Sequence, residues 1–249
     1  MAKLKSLIKI EGTLDGMTFY KGKEGYLVRT KGGVSKNRIE TDPAFIRTRE
    51  NGQEFSQISK SGKLLRLVLT PLISDVKDDT LIARLVKVMG QVKNADSTST
   101  RGNRQVGIGL ETLEGKNMLK GFDFNANAGL NEILLTDYLL NTATGEINIP
   151  NFIPLQQLNT PSGATHVSIL SAVININFIT NEKTLQASAE INVPINNTSV
   201  AINATPPSMP NGTGQTVFLF KISFYQEING LQYALNNGSF NVLQIIEII

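Results

Sequence analysis

Hydrophobic and polar residues alternate with a period of two near the end of the chain, which is the pattern of a β-strand with two different faces. In residues 217–228 one face is apolar and the other polar: Phe218, Phe220, Ile222 and Phe224 against Lys221, Ser223, Tyr225 and Glu227. Asn229-Gly230 and Asn237-Gly238 follow, and Asn-Gly favours a hairpin turn because both residues accept positive φ. The pattern predicts a three-stranded antiparallel meander over residues 214–249, with one apolar face.

The final strand of this meander, residues 242–249, is apolar on both faces. A strand that is covered on one side only does not need that pattern. Two interpretations stay open: the strand is central and buried, or it is completed by another chain, because an uncovered apolar edge invites association. The second interpretation makes four residues candidates for partner binding: Leu243, Ile245, Ile246 and Ile248.

The whole of residues 121–249 consists of short β-type runs separated by turn residues. Besides the terminal meander, strands are predicted at residues 122–125, 132–136, 146–149, 166–179, 184–193 and 199–204. Many short strands joined by turns are typical of an antiparallel β-sandwich of immunoglobulin-like or jelly-roll-like form.

The first part of the chain combines a predicted β-hairpin with predicted helices. Two alternating runs, residues 17–21 and 26–30, flank a four-residue loop with Gly at both ends. Asp42 directly before Pro43 favours the start of a helix, because Asp is a good cap and Pro suits the first helical position.

Apolar residues at helical spacing predict three helices. The first has a stripe of apolar residues and is expected to break or bend at Ser61-Gly62; the stripe is Phe45, Ile46, Phe55 and Ile58. The second covers residues 64–73 and the third residues 81–92, capped by Asp78 or Asp79, and we expect these two to form an antiparallel pair on the sheet. Residues 94–120 are predicted to form a loop with at most a short strand over residues 105–110.

These elements predict an α+β fold that is mainly β. In this prediction two or three helices from the N-terminal half pack on an antiparallel β-sandwich. The predicted domains are a basic hairpin plus helical segment over residues 1–120 and the sandwich over residues 121–249, with one continuous domain as the alternative.

Charge is distributed unevenly between these halves. Residues 1–120 hold 22 of the 24 Lys and Arg and 13 of the 21 Asp and Glu, whereas residues 121–249 hold 2 and 8. Three interpretations are open: a solvated helical surface, an anionic partner, or docking of the basic half of one copy on the acidic half of the next. The candidate partner-binding cations are Lys21, Lys23, Arg29, Lys31, Lys36 and Arg38.

Residues for catalysis or metal binding are scarce. The chain of 249 residues has no Cys, and its single histidine, His166, cannot build a multi-histidine metal site. A nucleophile elbow is absent from the sequence, and capping of the following helix accounts for Asp75, Asp78 and Asp79. We therefore expect no enzymatic activity and no cofactor.

The N-terminal sequence shows neither the long apolar stretch nor the cleavage pattern of a signal peptide. Nor does the sequence contain an apolar run long enough for a transmembrane helix. The expectation is a protein without membrane insertion, either cytoplasmic or part of a particle released without a signal.

Both ends of the chain resemble a known group of proteins. At the N-terminus the similarity covers residues 12–21, residues 26–29 and Thr41-Asp42-Pro43, followed by an Arg-rich helix; at the C-terminus it covers residues 224–230 and the last apolar strand. Together these segments resemble an uncharacterised family of β-rich proteins found in Bacteroidota genomes and their mobile elements. The resemblance implies a bacterial source and a non-enzymatic β protein, and it implies no catalytic residue.

The function expected from these patterns is that of a structural or assembly protein whose β-sandwich packs with itself or with a larger, virion-like particle. Homo-oligomer formation is the corresponding expectation for partners. Two alternatives remain. One is a carbohydrate-binding module that uses exposed aromatic residues, Tyr138, Phe152 and Tyr225. The other is a nucleic-acid-associated protein that uses the basic residues of segment 1–49.

Overall fold

The computed structural model describes residues 2–3, 9–30 and 32–249. The chain divides into two compact units, Met1–Arg49 and Glu50–Ile249, which we call the N-terminal unit and the main unit. The domain boundary predicted near residue 120 falls inside the main unit. Helices and antiparallel sheets are both present, as predicted, but they contribute similar shares of the chain.

The N-terminal unit contains a four-stranded antiparallel sheet in the order β1-β4-β3-β2. Its strands are β1 (Ala2–Lys3), β2 (Gly12–Leu14), β3 (Met17–Gly22) and β4 (Gly25–Thr30). The predicted hairpin is confirmed, although Gly22 pairs with Gly25, so that its loop has two residues and not four.

A short helix, α1 (Lys36–Thr41), and a 3-10 turn (Pro43–Phe45) follow this sheet. The Asp42 side chain accepts a hydrogen bond from the N–H of Ala44 and Pro43 stands in the first turn, so the predicted cap is confirmed.

Seven further helices follow in the chain. They are α2 (Ile46–Val68), α3 (Thr70–Ile73), α4 (Leu81–Asn94), α5 (Val106–Gly109), α6 (Leu113–Leu119), α7 (Leu130–Ile133) and α8 (Pro154–Gln157). Along α2 and α4, Glu54 lies against Lys93, Ile58 against Gly90 and Gly62 against Leu85, so the two helices run in opposite directions.

Two sequence predictions about the helices are wrong, and a third is wrong in part. Helix α2 is not broken at Ser61-Gly62, and both residues are buried within it. The stripe predicted from Phe45, Ile46, Phe55 and Ile58 buries only Ile58, and Phe55 is 60% exposed. Residues 105–110 form α5 instead of a strand, and α6 also lies in the predicted loop.

Two antiparallel sheets form the rest of the main unit. The six-stranded sheet contains β7 (His166–Ile176), β8 (Lys183–Ala187), β9 (Ile191–Pro194), β11 (Gln215–Ile228), β12 (Leu231–Ala234) and β13 (Val242–Ile248). The three-stranded sheet has the order β10-β6-β5, with β5 (Leu139–Asn141), β6 (Glu146–Phe152) and β10 (Val200–Ala204). The strand predicted at residues 122–125 is reduced to one bridge between Asp123 and Gln244, and residues 132–136 overlap α7.

The terminal strands are joined by one of the two predicted hairpin turns. Asn229 and Gly230 have φ values of 54° and 80°, as a type I′ turn requires, so this turn is confirmed. A 3-10 turn, Leu235–Gly238, replaces the second one. Strands β12 and β13 both pair with β11 on the edge opposite β7, so the predicted meander is wrong.

Both faces of the six-stranded sheet are buried along β7, β13 and most of β11. On β11 the even-numbered residues from Phe218 to Phe224 share a cluster with Ile147 and Phe152 of the three-stranded sheet. The odd-numbered Val217 and Leu219 belong to a second cluster, which contains α2 and α4 side chains. Burial on both sides is the physical reason why β13 is apolar on both faces.

Candidate assembly surfaces

The sheet of the N-terminal unit has no core of its own. Among the described residues of this unit none is buried, and its aromatic residues are partly covered. A small sheet requires an apolar face packed against another layer to be stable. The uncovered side chains of this sheet are therefore candidates for contact with a partner.

Strand register places four apolar side chains of this sheet on one face. Leu14 pairs with Met17, and Phe19 pairs with Val28. These four side chains therefore point to the same side, and we call them the N-terminal apolar face. Leu14 is 58% exposed and Met17 is 42% exposed, while Phe19 and Val28 are partly covered.

Positive charges lie beside this face. The ammonium groups of Lys9 and Lys21 lie 5.3 and 6.0 Å from the centre of the Tyr26 ring, and Lys21 pairs with Tyr26 on the same side of the sheet as Phe19. On the opposite side the Arg29 guanidinium lies 5.6 Å from the Tyr20 ring. Such cation–π contacts keep the charges close to the aromatic surface.

The other predicted cations are less concentrated. Lys23 lies exposed in the β3–β4 turn. Lys36 pairs with Glu40 at 3.6 Å, and Arg38 pairs with Asp42 at 3.1 Å, so these two charges are partly neutralised within α1 and its cap. Lys31 lies outside the described residues. Of the predicted set, the structure thus brings Lys21 and Arg29 together on one small sheet.

The four apolar residues predicted on the last strand are core residues. Leu243 and Ile245 are fully buried, and Ile246 and Ile248 are 6% and 5% exposed. The edge of β13 that faces away from β11 is covered by residues 121–124: the N–H groups of Gly121 and Phe124 donate to carbonyls of β13. Side chains buried in their own chain offer no surface to a partner, so the partner-binding prediction for these residues is corrected.

A different part of the terminal segment is exposed. Beyond the core, β11 and β12 form a two-stranded ribbon in which Ile228 pairs with Leu231 and Gln226 with Tyr233. Ile228, Leu231 and Tyr233 share one face and are 50%, 61% and 53% exposed. We call these three residues the ribbon tip. The apolar residues of the tip are visible in the sequence. The sequence does not show that the layer packed on this face of β11 ends at Phe224, which is the last buried residue.

Acidic residues lie on the opposite face of the same ribbon, since Tyr225 and Glu227 alternate with Ile228 along β11. Glu227 is 3.5 Å from Nε2 of His166, and Glu190 accepts a 3.4 Å hydrogen bond from the Tyr225 hydroxyl. Burial, together with the nearby charge of Glu190, raises the pKa of Tyr225, which therefore stays neutral as a donor. Both carboxylates are exposed, so the face of the ribbon opposite the tip presents negative charge.

The carbohydrate-binding alternative loses its aromatic residues. Phe152 is fully buried, and the Tyr138 ring packs edge-on against Phe220 with centroids 5.0 Å apart. Tyr225 is partly covered and bonded to Glu190. A sugar-binding platform requires exposed aromatic rings. Each of the three rings that the sequence suggested is buried or partly covered.

A groove of about 490 Å³ runs beside α4, lined by charged residues of both signs that include Arg84, Lys87, Asp123 and Glu132. Arg84 is held by Asp78 at 2.5 Å and lies 5.1 Å from the Phe122 ring. Burial raises the pKa of Asp123, whose Oδ1 accepts from Leu130 and Gln244. These contacts fix the walls of the groove.

Buried ions elsewhere have structural partners. Glu54 accepts hydrogen bonds from Lys93 at 2.5 Å, from Arg104 at 2.8 Å and from the Gly102 N–H. Among the described residues, no group of three or more His, Cys, Asp or Glu is placed to hold a metal ion. Within the same part of the chain no helix is long and apolar enough to cross a bilayer.

Comparison with known proteins gives no relative. No family model, no curated protein and no solved structure matches this chain. The exposed apolar surfaces of the chain and its uneven charge are therefore the basis for proposing a function.

Proposed function

We propose that this chain is a non-enzymatic assembly subunit that associates with further copies of itself. The observation that carries the proposal is the absence of any buried residue among the described residues of the N-terminal unit. A sheet that exposes Leu14 and Met17, and in smaller part Phe19 and Val28, gains stability when another surface covers it. Burying one such side chain contributes about 1.5–3 kcal/mol.

Charge supports a second copy as the covering surface. The N-terminal unit is rich in Lys and Arg, whereas residues 121–249 carry 8 acidic and 2 basic residues. Opposite charges on two surfaces of one chain fix the orientation of neighbouring copies and accelerate their encounter. The finer fold that we propose for the main unit is a β-sandwich of the two sheets, with the helices packed on its outer side.

Light scattering after size-exclusion chromatography tests the proposal. A subunit of 27.1 kDa is expected to form multiples of that mass as its concentration rises from about 1 to 200 µM. Leu14→Lys is expected to weaken association about 10- to 100-fold, as expected for the loss of one buried apolar side chain. Leu113→Lys is the matched control, because Leu113 is 74% exposed and lies on α6. A monomer at every concentration contradicts the proposal.

Nucleic-acid association is a second candidate function, favoured by the cations stacked on Tyr20 and Tyr26. Basic groups next to aromatic rings are the elements of a single-strand binding platform. Fluorescence anisotropy with a labelled single-stranded oligonucleotide measures it. Binding at low salt that weakens steeply with added salt supports this candidate, and no binding at low salt excludes it.

A further inference from the structure

The groove beside α4 carries charges of opposite sign on two separate segments of the chain. Helix α4 contributes Arg84 and Lys87, and the segment of residues 121–132 contributes Asp123 and Glu132. The two cations stand three residues apart and therefore lie on the same face of α4. Within the described part of the chain, neither cation forms an ion pair with either carboxylate. The groove thus separates positive from negative groups and is not closed by ion pairs across it.

The guanidinium of Arg84 is held in place and keeps unused donors. Its Nη2 atom donates to Asp78 at 2.5 Å, and the same carboxylate oxygen accepts from the N–H of Ala126 at 3.0 Å. The guanidinium also lies 5.1 Å from the Phe122 ring. Among the described residues no other nitrogen of this guanidinium has a hydrogen-bond partner, and Nε is buried without one. Such a fixed group with free donors is preorganised for a carboxylate, and Lys87 adds a charge that no described carboxylate neutralises.

The carboxylate side of the groove has unused acceptors. Both hydrogen bonds to Asp123, from the Leu130 N–H at 3.1 Å and from the Gln244 amide at 2.9 Å, end on Oδ1. Oδ2 has no donor among the described residues and lies 3.5 Å from the position that a Cβ would take on Gly129. Cδ of Glu132 lies 3.6 Å from the same position, so the two carboxylates flank Gly129. Two neighbouring carboxylates with free oxygens suit an ammonium group, which has three donors and no acceptor.

Apolar surface in the groove is limited to a small area. Val88 is half-buried, and the Phe122 ring is 7% exposed. Together they offer contact to one aliphatic side chain. The volume of about 490 Å³ lies in the range of small-molecule sites, which is about 300–1,000 Å³.

From these complementary groups we infer that the groove is the binding site of a small zwitterion with an aliphatic side chain, a free amino acid or a short peptide. The ligand's carboxylate binds Arg84 and Lys87. Its ammonium group binds Asp123 and Glu132, and its side chain lies on Val88. The site belongs to the main unit alone, so the inference does not rest on the proposed self-association.

Isothermal titration calorimetry with leucyl-leucine tests the site at any state of assembly. We expect one site per chain with a Kd of about 0.1 to 1 mM, as is usual for a ligand of this size. N-acetyl-leucyl-leucine lacks the ammonium group and leucyl-leucinamide lacks the carboxylate, and each is expected to bind about tenfold more weakly. Leucine and trileucine complete the series. The tightest binder among the three unblocked ligands identifies whether the groove takes an amino acid or a peptide.

Two substitutions locate the ligand and its orientation. Lys87 and Glu132 are exposed and have no ion pair among the described residues, so Lys87→Gln and Glu132→Gln are expected to fold normally. Each is expected to weaken leucyl-leucine about 3- to 10-fold. Lys87→Gln is expected to leave the affinity of the amide unchanged, and Glu132→Gln that of the acetylated peptide, because the group each residue binds is already missing. Lys63→Gln and Glu114→Gln, at exposed positions of α2 and α6, are the controls and leave all affinities unchanged.

The outcomes separate the inference from the proposed function. No saturable binding of leucine, leucyl-leucine or trileucine up to about 10 mM overturns the inference, since a ligand of this size in a matching site binds more tightly than that. Binding that Lys87→Gln and Glu132→Gln do not weaken places the ligand elsewhere and overturns it too. Equal losses for free and blocked peptides contradict the assigned orientation. Self-association is measured separately by light scattering, and neither result there changes these conclusions.

Discussion

The Nζ atom of Lys221 lies 2.6 Å from Oδ1 of Asp75, although 146 residues separate them in the chain. The Lys221 side chain is only 6% exposed, and Ser223 donates to the other carboxylate oxygen at 3.3 Å. The Asn241 amide donates to the backbone carbonyl of Asp75 at 2.9 Å. Asp75 thus ties the segment before α4 to β11 and to the start of β13.

Replacing Asp75 by Asn is expected to lower the free energy of unfolding by about 3 kcal/mol, because it leaves the Lys221 ammonium buried without a counter-charge. Lys221→Met is expected to cost less, since it removes the buried charge and keeps the apolar stem. Urea unfolding at neutral pH measures both. Asp79→Asn is the control: Asp79 is exposed, and its change is expected to stay below about 0.5 kcal/mol. Equal losses for Asp75→Asn and Asp79→Asn contradict the assigned role.

Lys221 also shows where sequence reasoning stops. Alternation placed Lys221 and Ser223 on the polar face of β11 and Phe218 to Phe224 on the apolar face, and the sides are correct. Alternation cannot tell that Asp75, from a segment far away in sequence, covers the polar face. Lys221 and Ser223 are 5% and 2% exposed because a long-range ion pair makes the burial of a charge tolerable.

Glu54 makes the free energy of unfolding fall at acid pH. The hydrogen bond from Arg104, and next those from Lys93 and the Gly102 N–H, lower the pKa of Glu54 from 4.5 to about 2, although burial opposes them. Its folded pKa lies below its unfolded pKa, so its contribution is complete above about pH 5 and is lost as the pH falls toward 2. We expect that contribution to be about 3 kcal/mol.

The measurement compares the wild-type chain with Glu54→Gln from pH 7 to pH 2.5 by chemical unfolding. The two free energies of unfolding are expected to differ at pH 7 and to converge in acid. The pKa values of Asp78 and Asp96 are also lowered in the fold. Because the wild-type chain and the variant are compared at the same pH, the contributions of these two residues to the free energy of unfolding cancel. A constant difference at all pH values would mean that Glu54 acts through packing and not through its charge.

Two glycines in helices are expected to respond oppositely to alanine. A Cβ at Gly109 would overlap the carbonyl of Val92, because α5 approaches the end of α4 there, so Gly109→Ala is expected to destabilise the fold by about 3 kcal/mol or more. A Cβ at Gly52 meets nothing, and Gly52→Ala in the exposed face of α2 is expected to stabilise by about 1 kcal/mol. Thermal unfolding measures both, and a loss at Gly52 as large as that at Gly109 contradicts the close approach.

Local signals were predictable where they are determined by a few neighbouring residues. Asn229-Gly230 and Asp42-Pro43 form the turn and the cap that their chemistry indicates. The pairing of β12 and β13 on one edge of β11 was not predictable, since Asn237-Gly238 gives the same local signal as the first turn. For the candidate site, the cations of the N-terminal unit were predictable, whereas the ribbon tip required knowing where the cover of β11 ends.

Salt and charge reversal test the part that charge plays in the proposed assembly. Opposite charges on the N-terminal unit and on residues 121–249 are screened as the Debye length falls, so raising NaCl from about 0.05 to 0.5 M is expected to weaken association about tenfold without abolishing it. Lys21→Glu is expected to weaken self-association, because it replaces a positive charge beside the N-terminal apolar face by a negative one. Lys63→Glu, the same change at an exposed position of α2, is the control and leaves association unchanged. Equal losses with Lys21→Glu and Lys63→Glu, or association that does not respond to salt, contradict the proposed role of charge.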